Sequence, residues 1–90
     1  MRKTIFEKEM EDPKFKALYE EISAGIDIGE QIAELRHKSK MSQLQLAQKV
    51  KTSRSAIARY ESGEYESFSI KTLTRIARAF HKNLKVSFAS

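Results

Sequence analysis

The sequence predicts an all-α domain of about five helices, with an N-terminal helical extension and a short C-terminal β-strand. Its 90 residues are enough for one domain with a single small core. Apolar residues recur at helical spacing along most of the chain. A Ser, Thr or Asp precedes nearly every such stretch, at the position that an N-cap occupies. Length, spacing and caps together favour a compact helical bundle.

Two short helices joined by a tight turn are predicted within residues 41–63. Ser42 is a good N-cap for the first, and Gln45 three residues later completes a capping box. Ser53 is the N-cap of the second helix, and Gly63 lies where a C-terminal stop belongs. The exposed face of the second helix carries arginine and serine in its first turns, which suits a helix that enters the major groove of DNA.

This segment resembles the helix-turn-helix of the lambda-repressor-like (Cro/XRE) family, whose pattern is S-Q-x-x-L-A-x-x-x-x-x-S-x-x-x-I-x-x-x-E-x-G. So many matches at fixed spacing make a specific signal. The longer arrangement, with a leader before the motif and FSIKTL…NLKVSF after it, resembles HigA-type antitoxins of type II toxin–antitoxin systems. The matched positions are Ser42, Gln43, Leu46, Ala47, Ser53, Ile57, Glu61 and Gly63.

The resemblance implies that the second helix recognises double-stranded DNA, in an operator that is an inverted repeat bound by a homodimer. Arg54 and Ser55 match positions that contact base edges, and Arg59 matches another groove-facing position. Gln43 matches a residue that contacts a phosphate. The alternative is that the two arginines are surface charges on a solvated helix. The expected DNA-binding residues are Ser42, Gln43, Ser53, Arg54, Ser55 and Arg59.

The resemblance also implies a structural ion pair between Arg36 and Glu61. Two positions depart from the family pattern. Lys51 replaces a common turn glycine, and a left-handed lysine costs about 1 kcal/mol more than glycine, which favours a reshaped turn. The loop Glu64-Tyr65-Glu66 is acidic where related repressors are often basic. We therefore expect DNA contacts to come from the two motif helices.

Charge is distributed unevenly along the chain. Residues 1–35 contain five Lys/Arg and nine Asp/Glu, a balance of −4. Residues 36–90 contain twelve Lys/Arg and three Asp/Glu, a balance of +9. The basic part could simply be a soluble surface, but its coincidence with the motif favours a nucleic-acid partner.

The leader is predicted to contain two helices, one beginning after Thr4 and one at Pro13. A loop is predicted at residues 23–25, and a further helix begins near Asp27. The predicted parts of this single compact domain are 1–26 (acidic helical leader), 27–83 (helix-turn-helix domain) and 84–90 (C-terminal strand or tail). An apolar stripe at helical spacing consists of Phe15, Leu18, Tyr19 and Ile22.

After the motif, Ser69 caps a last helix that continues to Phe80, and Asn83 is expected to adopt the left-handed conformation that ends it. Three alternating apolar residues then predict a strand. A lone strand must pair, and a second copy of the chain is the first expectation; the alternative is a tail lying on the core. The residues expected in dimerisation are Leu84, Val86 and Phe88.

Two functions follow from these features. The first is an antitoxin that neutralises a small basic RelE/HigB-like ribonuclease toxin and represses its own operon. The acidic leader with its apolar stripe is the candidate toxin-binding element, although the stripe could equally pack on this protein's own core. The second is a stand-alone Cro/XRE-type transcriptional repressor without a toxin partner.

Catalysis and cofactors are not expected. The chain has no cysteine, and its two histidines, His37 and His81, lack neighbours at metal-ligand spacing. No serine or lysine has a flanking pattern typical of an activated nucleophile. No apolar run approaches the ~20 residues that span a membrane, and the first residues are too acidic for a signal peptide. A cytoplasmic protein is therefore expected.

Overall fold

The computed structural model describes residues 4–64 and 68–88. Within them the chain is helical and contains no strand, which confirms the predicted all-α class. The two motif helices are preceded by a short helix and a long one, and they are followed by a single further helix. The helices are α1 (Ile5–Glu9), α2 (Pro13–Lys38), α3 (Gln43–Val50), α4 (Arg54–Glu61) and α5 (Ile70–Ala79).

The predicted starts of these five helices are confirmed by the hydrogen bonds of their capping residues. At α3, Ser42 Oγ accepts a hydrogen bond from the Gln45 amide at 3.0 Å, and the Gln45 side chain accepts one from the Ser42 amide at 2.7 Å. This is the complete capping box, which satisfies two donors that a helix start otherwise leaves unpaired. The capping residues of the five helices are Thr4, Asp12, Ser42, Ser53 and Ser69.

The prediction of a loop at residues 23–25 is wrong, and so is the prediction that a new helix begins near Asp27. Helix α2 is continuous through this stretch and crosses the boundary between residues 26 and 27. Gly25 is buried there. The small residues that suggest a loop are instead part of the helix, and a neighbouring backbone approaches α2 closely between Gly25 and Gly29.

The neighbouring backbone is the C-terminal end of α4. A Cβ atom on Gly29 would lie 2.6 Å from the carbonyl oxygen of Glu61 and 2.7 Å from that of Tyr60. A Cβ on Gly63 would lie 2.9 Å from the backbone N and Cα of Ile26. Both contacts are too short for any side chain, so two glycines set the distance between α2 and the end of α4.

The core lies between the second half of α2 and helices α3, α4 and α5. Leu46 of α3 and Ile57 of α4 are completely enclosed. Burying side chains of this size contributes about 1.5–3 kcal/mol each. The buried cluster consists of Ile32, Leu46, Ala47, Val50, Ile57, Ile76 and Ala79.

Helices α2 to α5 all end in the same type of turn. In each, one residue has positive φ and the next amide donates to the carbonyl five residues earlier, the hydrogen bond of the Schellman motif. Their acceptor carbonyls belong to Arg36, Ala47, Arg59 and Ala77, at distances from 2.9 to 3.3 Å. The left-handed residues are Lys40, Lys51, Gly63 and His81.

Two predictions about these ends need correction. Asn83 does not end the last helix, because His81 takes the left-handed conformation, with φ 57°. The turn at Lys51 is not reshaped either, since this lysine adopts φ 60° and ψ 50°. An L-residue can occupy this region at a cost of about 1–2 kcal/mol, so the surrounding hydrogen bonds and packing offset that cost.

The predicted C-terminal strand is absent from the described residues. Residues 83–88 have no regular secondary structure, and within the described chain none of them takes part in a backbone–backbone hydrogen bond. The physical reason is that a strand exists only through pairing, and the rest of the domain is helical. Leu84 is half-buried, whereas Val86 and Phe88 are exposed.

The leader forms a small cluster of its own. The ring of Phe6 on α1 meets the rings of Phe15 and Tyr19 on α2 edge-on, at centroid distances of 6.3 and 5.3 Å. All four buried residues of α2 fall between Gly25 and Arg36. The first half of α2 therefore extends beyond the core, and the molecule measures 50 × 24 × 22 Å.

The contact at Gly29 can be tested by substitution. Gly29→Ala should destabilise the domain by about 1–3 kcal/mol, because the new methyl group overlaps two backbone carbonyls that cannot rotate away. Helix propensity alone would give the opposite sign, a gain of about 1 kcal/mol. Urea denaturation followed by circular dichroism measures the difference. A Gly29→Ala protein as stable as the wild type would show that the two helices are not in backbone contact.

Candidate nucleic-acid interface

The outer face of α4 is polar and open to solvent. Ala56 and Ile57 of this helix are buried, while Ser55 and Arg59, one turn apart, are exposed on the opposite side. Arg54, at the first position of the helix, is also exposed. This division places three polar side chains where a helix in the major groove would present them to base edges.

The side chains of Arg54 and Ser55 make no hydrogen bond or ion pair within residues 4–64 and 68–88. Their donors are therefore free for a ligand, and an arginine can donate two parallel hydrogen bonds to the O6 and N7 atoms of guanine. A serine hydroxyl both donates and accepts, so it suits several bases. The first turn of α4 therefore offers free donors and acceptors of the kind that can bind base edges.

Both cap serines use their hydroxyl oxygens inside the protein. Ser53 Oγ accepts from the Ala56 amide at 3.0 Å, as Ser42 Oγ does from Gln45. These bonds fix the first turns of α3 and α4, whose remaining free amides and dipoles favour an anion nearby. The two serines thus act first on helix geometry, and each keeps a hydroxyl proton that can be donated.

Arg36 and Glu61 form a two-pronged ion pair between α2 and α4. The Arg36 Nε lies 2.6 Å from Glu61 Oε2, and Arg36 Nη2 lies 2.9 Å from Glu61 Oε1. The side chains are only 11% and 9% exposed. Arg36 Nη1 also donates to the carbonyl of Met41 at 2.9 Å. One guanidinium therefore joins α2, the connection to α3 and the end of α4.

The environment of Glu61 acts in two directions on its pKa. Burial raises the pKa of this carboxyl, but hydrogen bonds from Arg36 and Gln43 and the nearby positive charge of Arg36 outweigh burial and lower the pKa below the usual 4.5. The hydrogen bond to Glu61 likewise raises the pKa of Arg36. Both groups are charged at neutral pH, and the pair stabilises the fold there.

Gln43 has a contact that the sequence did not indicate. Its Nε2 donates to Glu61 Oε1 at 3.2 Å, so the expected phosphate-binding residue at the start of α3 is linked to the ion pair. A motif gives the spacing of residues along the chain, whereas this contact depends on how α3 crosses the end of α4. The hydrogen bond to Glu61 orients Gln43 relative to α4.

Arg59 also has an acidic neighbour. Its Nε lies 3.9 Å from Glu64 Oε2, with 54% and 56% of the two side chains exposed. The Glu64 amide donates to the Arg59 carbonyl at 3.3 Å. The sequence identified Glu64 as part of an acidic loop but not as a partner of Arg59. The glycine before it was the available signal, because a Schellman turn brings the next residue back to the helix end. Tyr65 and Glu66 lie outside the described residues.

The other predicted site residues lie apart from this surface. Within the leader stripe Leu18, Tyr19 and Ile22 are exposed and Phe15 is partly covered by Phe6. Leu84 and Val86 line a groove together with residues of α5 and the second half of α2, whereas Phe88 is fully exposed. The structure therefore separates three regions, the face of α4, the leader stripe and the C-terminal segment.

The arrangement of α3, its left-handed turn and α4 is that of a helix-turn-helix DNA-binding protein. A family model described as Helix-turn-helix matches residues 32–86, more than half of the 90-residue chain. The chain belongs to this Cro/C1-type family, whose members are sequence-specific DNA-binding transcription regulators. A search of curated proteins and a search of solved structures each gave no match. Of the helices described, none has the length and apolar character needed to cross a membrane.

The ion pair predicts how stability depends on pH. Glu61→Gln should reduce the free energy of unfolding by about 3 kcal/mol near pH 7, because it leaves the buried Arg36 charge without an opposite charge. The pKa of Glu61 is lowered by folding, so its contribution is present above the usual carboxyl pKa and is lost as pH falls through the folded value. The difference in the free energy of unfolding between the wild type and Glu61→Gln should therefore become smaller as the pH falls below about 5.

Urea denaturation at several pH values measures this difference in the free energy of unfolding. Glu34→Gln is a matched control, because Glu34 also forms an ion pair, with Lys38 at 2.9 Å, but both side chains are more than 60% exposed. Exposed pairs contribute little, so this variant should track the wild type. A Glu61→Gln penalty that stays constant as the pH falls would contradict the assignment.

Proposed function

We propose that this chain is a transcriptional repressor that binds an inverted-repeat operator as a dimer, with α4 in the major groove. The observation that carries the proposal is the solvent-exposed face of α4, where Arg54, Ser55 and Arg59 present donors on a helix that the Arg36–Glu61 pair fixes in place. Because the helix is already anchored, it loses little freedom when it meets DNA.

In this proposal the two motif helices have different tasks. Arg54 and Ser55 contact base edges at the start of α4, where the side chains of a recognition helix enter the groove. Gln43 and the free amides at the start of α3 contact a phosphate and set the register. The balance of +9 over residues 36–90 supplies the attraction that is common to all sequences.

Dimerisation is proposed to use the C-terminal segment. Val86 is 63% exposed and Phe88 is fully exposed, and Leu84 and Val86 border an apolar groove of about 450 Å³ between α2 and α5. Removing an aromatic side chain and its aliphatic neighbours from water favours association with a second copy. Two copies related by a twofold axis would match half-sites about 34 Å apart, or a multiple of that distance.

Base recognition by Arg54 can be tested with a duplex selected by the wild-type protein from a randomised library. Arg54→Ala should reduce discrimination by about 1–3 kcal/mol at one base pair in each half-site, and leave the others unchanged. Fluorescence anisotropy with single-base variants measures the effect. Arg78→Ala, an exposed arginine on α5, controls for lost charge and should weaken all duplexes alike. Equal weakening by both variants would contradict a base contact.

A second function, neutralisation of a small basic ribonuclease toxin, is favoured by the leader. The face of α2 that is buried from Gly25 to Arg36 continues toward the N-terminus as exposed Leu18 and Ile22. An apolar helix face that extends beyond its own core is available to a partner. The acidic balance of residues 1–35 complements a cationic protein. In this combined role the chain is an antitoxin that also represses its operon.

Co-expression with the small reading frame beside the gene tests the second function. A toxin should arrest growth when expressed alone and co-purify with this chain. The double variant Leu18→Ser/Ile22→Ser should lose the partner while its melting temperature stays near that of the wild type, because both residues are exposed. Ala17→Ser, at an exposed position of α2 outside the stripe, is the control and should keep the partner. If the product of the neighbouring reading frame is harmless and does not co-purify, the antitoxin function is contradicted and only the repressor function remains.

A further inference from the structure

We infer that Glu64 is a specificity-determining residue that restrains Arg59 and thereby weakens binding to arbitrary DNA. The inference rests on the proposed DNA-binding function and concerns a residue outside the matched motif positions. At the end of the recognition helix the carboxylate of Glu64 faces Arg59, the arginine that the motif directs toward the groove.

The position of Glu64 is fixed by the backbone. Gly63 adopts φ 87° and its amide donates to the Tyr60 carbonyl at 3.1 Å, while the next amide, that of Glu64, donates to the Arg59 carbonyl. Gly63 is buried against the backbone of Ile26. The turn therefore holds the Cα of Glu64 close to Arg59, although the side chain itself is exposed.

Glu64 is unusual in its surroundings. The basic part of the chain, residues 36–90, contains three acids. Glu61 is enclosed with Arg36, and Glu66 lies outside the described residues. Glu64 is thus the exposed carboxylate that the structure places at the end of the DNA-facing helix. An exposed pair of this kind contributes little to folding, so fold stability does not account for it.

A carboxylate at this position acts differently on two classes of complex. Binding to arbitrary DNA depends on attraction between cations and phosphates. There Glu64 repels phosphate and competes for Arg59, and no base contact compensates. On a matched sequence Arg59 gains directed hydrogen bonds in the groove, which can replace its contact with Glu64. The acid therefore lowers affinity for the wrong sequences more than for the right one.

The test compares Glu64→Gln with the wild type on two duplexes of equal length: one selected by the wild-type protein from a randomised library, and an alternating dI-dC duplex. Glutamine retains the backbone turn and removes the charge. The variant should bind the dI-dC duplex about threefold to tenfold more tightly. The gain on the selected duplex should be smaller, so the ratio of the two affinities falls.

The salt dependence gives an independent readout. The slope of log affinity against log salt on the dI-dC duplex should steepen by about 0.9, as expected when one more phosphate contact forms. Glu20 is an exposed acid on α2 within the leader, and Glu20→Gln makes the same change in net charge. This control should alter neither the ratio of affinities for the two duplexes nor the slope of log affinity against log salt. Circular dichroism melts verify that both variants are folded.

Two results would overturn the inference. One is an unchanged affinity of Glu64→Gln for the dI-dC duplex. The other is an equal gain on both duplexes, which would assign Glu64 a general electrostatic effect only. If the wild-type protein enriches no sequence from the library, the proposed function fails instead, and the dI-dC arm still reports whether Glu64 opposes phosphate binding.

Discussion

The contact between α2 and the end of α4 is the constraint on which the rest of the structure depends. Gly29 and Gly63 allow the two backbones to touch, and the Arg36–Glu61 ion pair fixes their angle from a mostly buried position. With the end of α4 fixed, its polar face must point away from the core. The hydrogen bond from Gln43 to Glu61 then fixes the start of α3 to the same point. The orientation of the exposed face of α4, which we propose binds DNA, is thus determined by contacts in the core.

Local features of the sequence were sufficient for most helix starts. Ser42, Ser53 and Ser69 are caps whose chemistry acts over three residues, so no tertiary information is needed to recognise them. The helix interior at residues 23–25 could not be recognised in this way. A glycine in a helix and a glycine in a loop have the same local signature, and only the approach of α4 distinguishes them. The same limit applies to the end of α5, where the left-handed conformation was expected at Asn83 but is adopted by His81.

For the candidate site, the residue types on α4 could be predicted because the motif has fixed spacing. The partners of those residues could not. Glu61 is shared by Arg36 and Gln43, and Glu64 faces Arg59, because of crossing angles and turn geometry that a linear pattern does not contain. The prediction of a strand at residues 84–88 was wrong for a related reason. Alternating apolar and polar residues indicate that one side of the segment is apolar, but a strand also needs a neighbouring segment with free backbone groups.

Three of the four left-handed helix ends carry a cation or an imidazole instead of glycine, at Lys40, Lys51 and His81. Each such residue is conformationally disfavoured by about 1–2 kcal/mol, a large fraction of the stability of a small domain. Glycine would relieve this strain, but it would also remove a side chain that can carry positive charge at a helix C-terminus, where the dipole favours it. The domain therefore has a lower thermal stability than glycine at these turns would give, and in return it has more side chains that can be positively charged near its helix C-termini. A thermostabilised variant obtained at these turns would be expected to have a weaker attraction for polyanions.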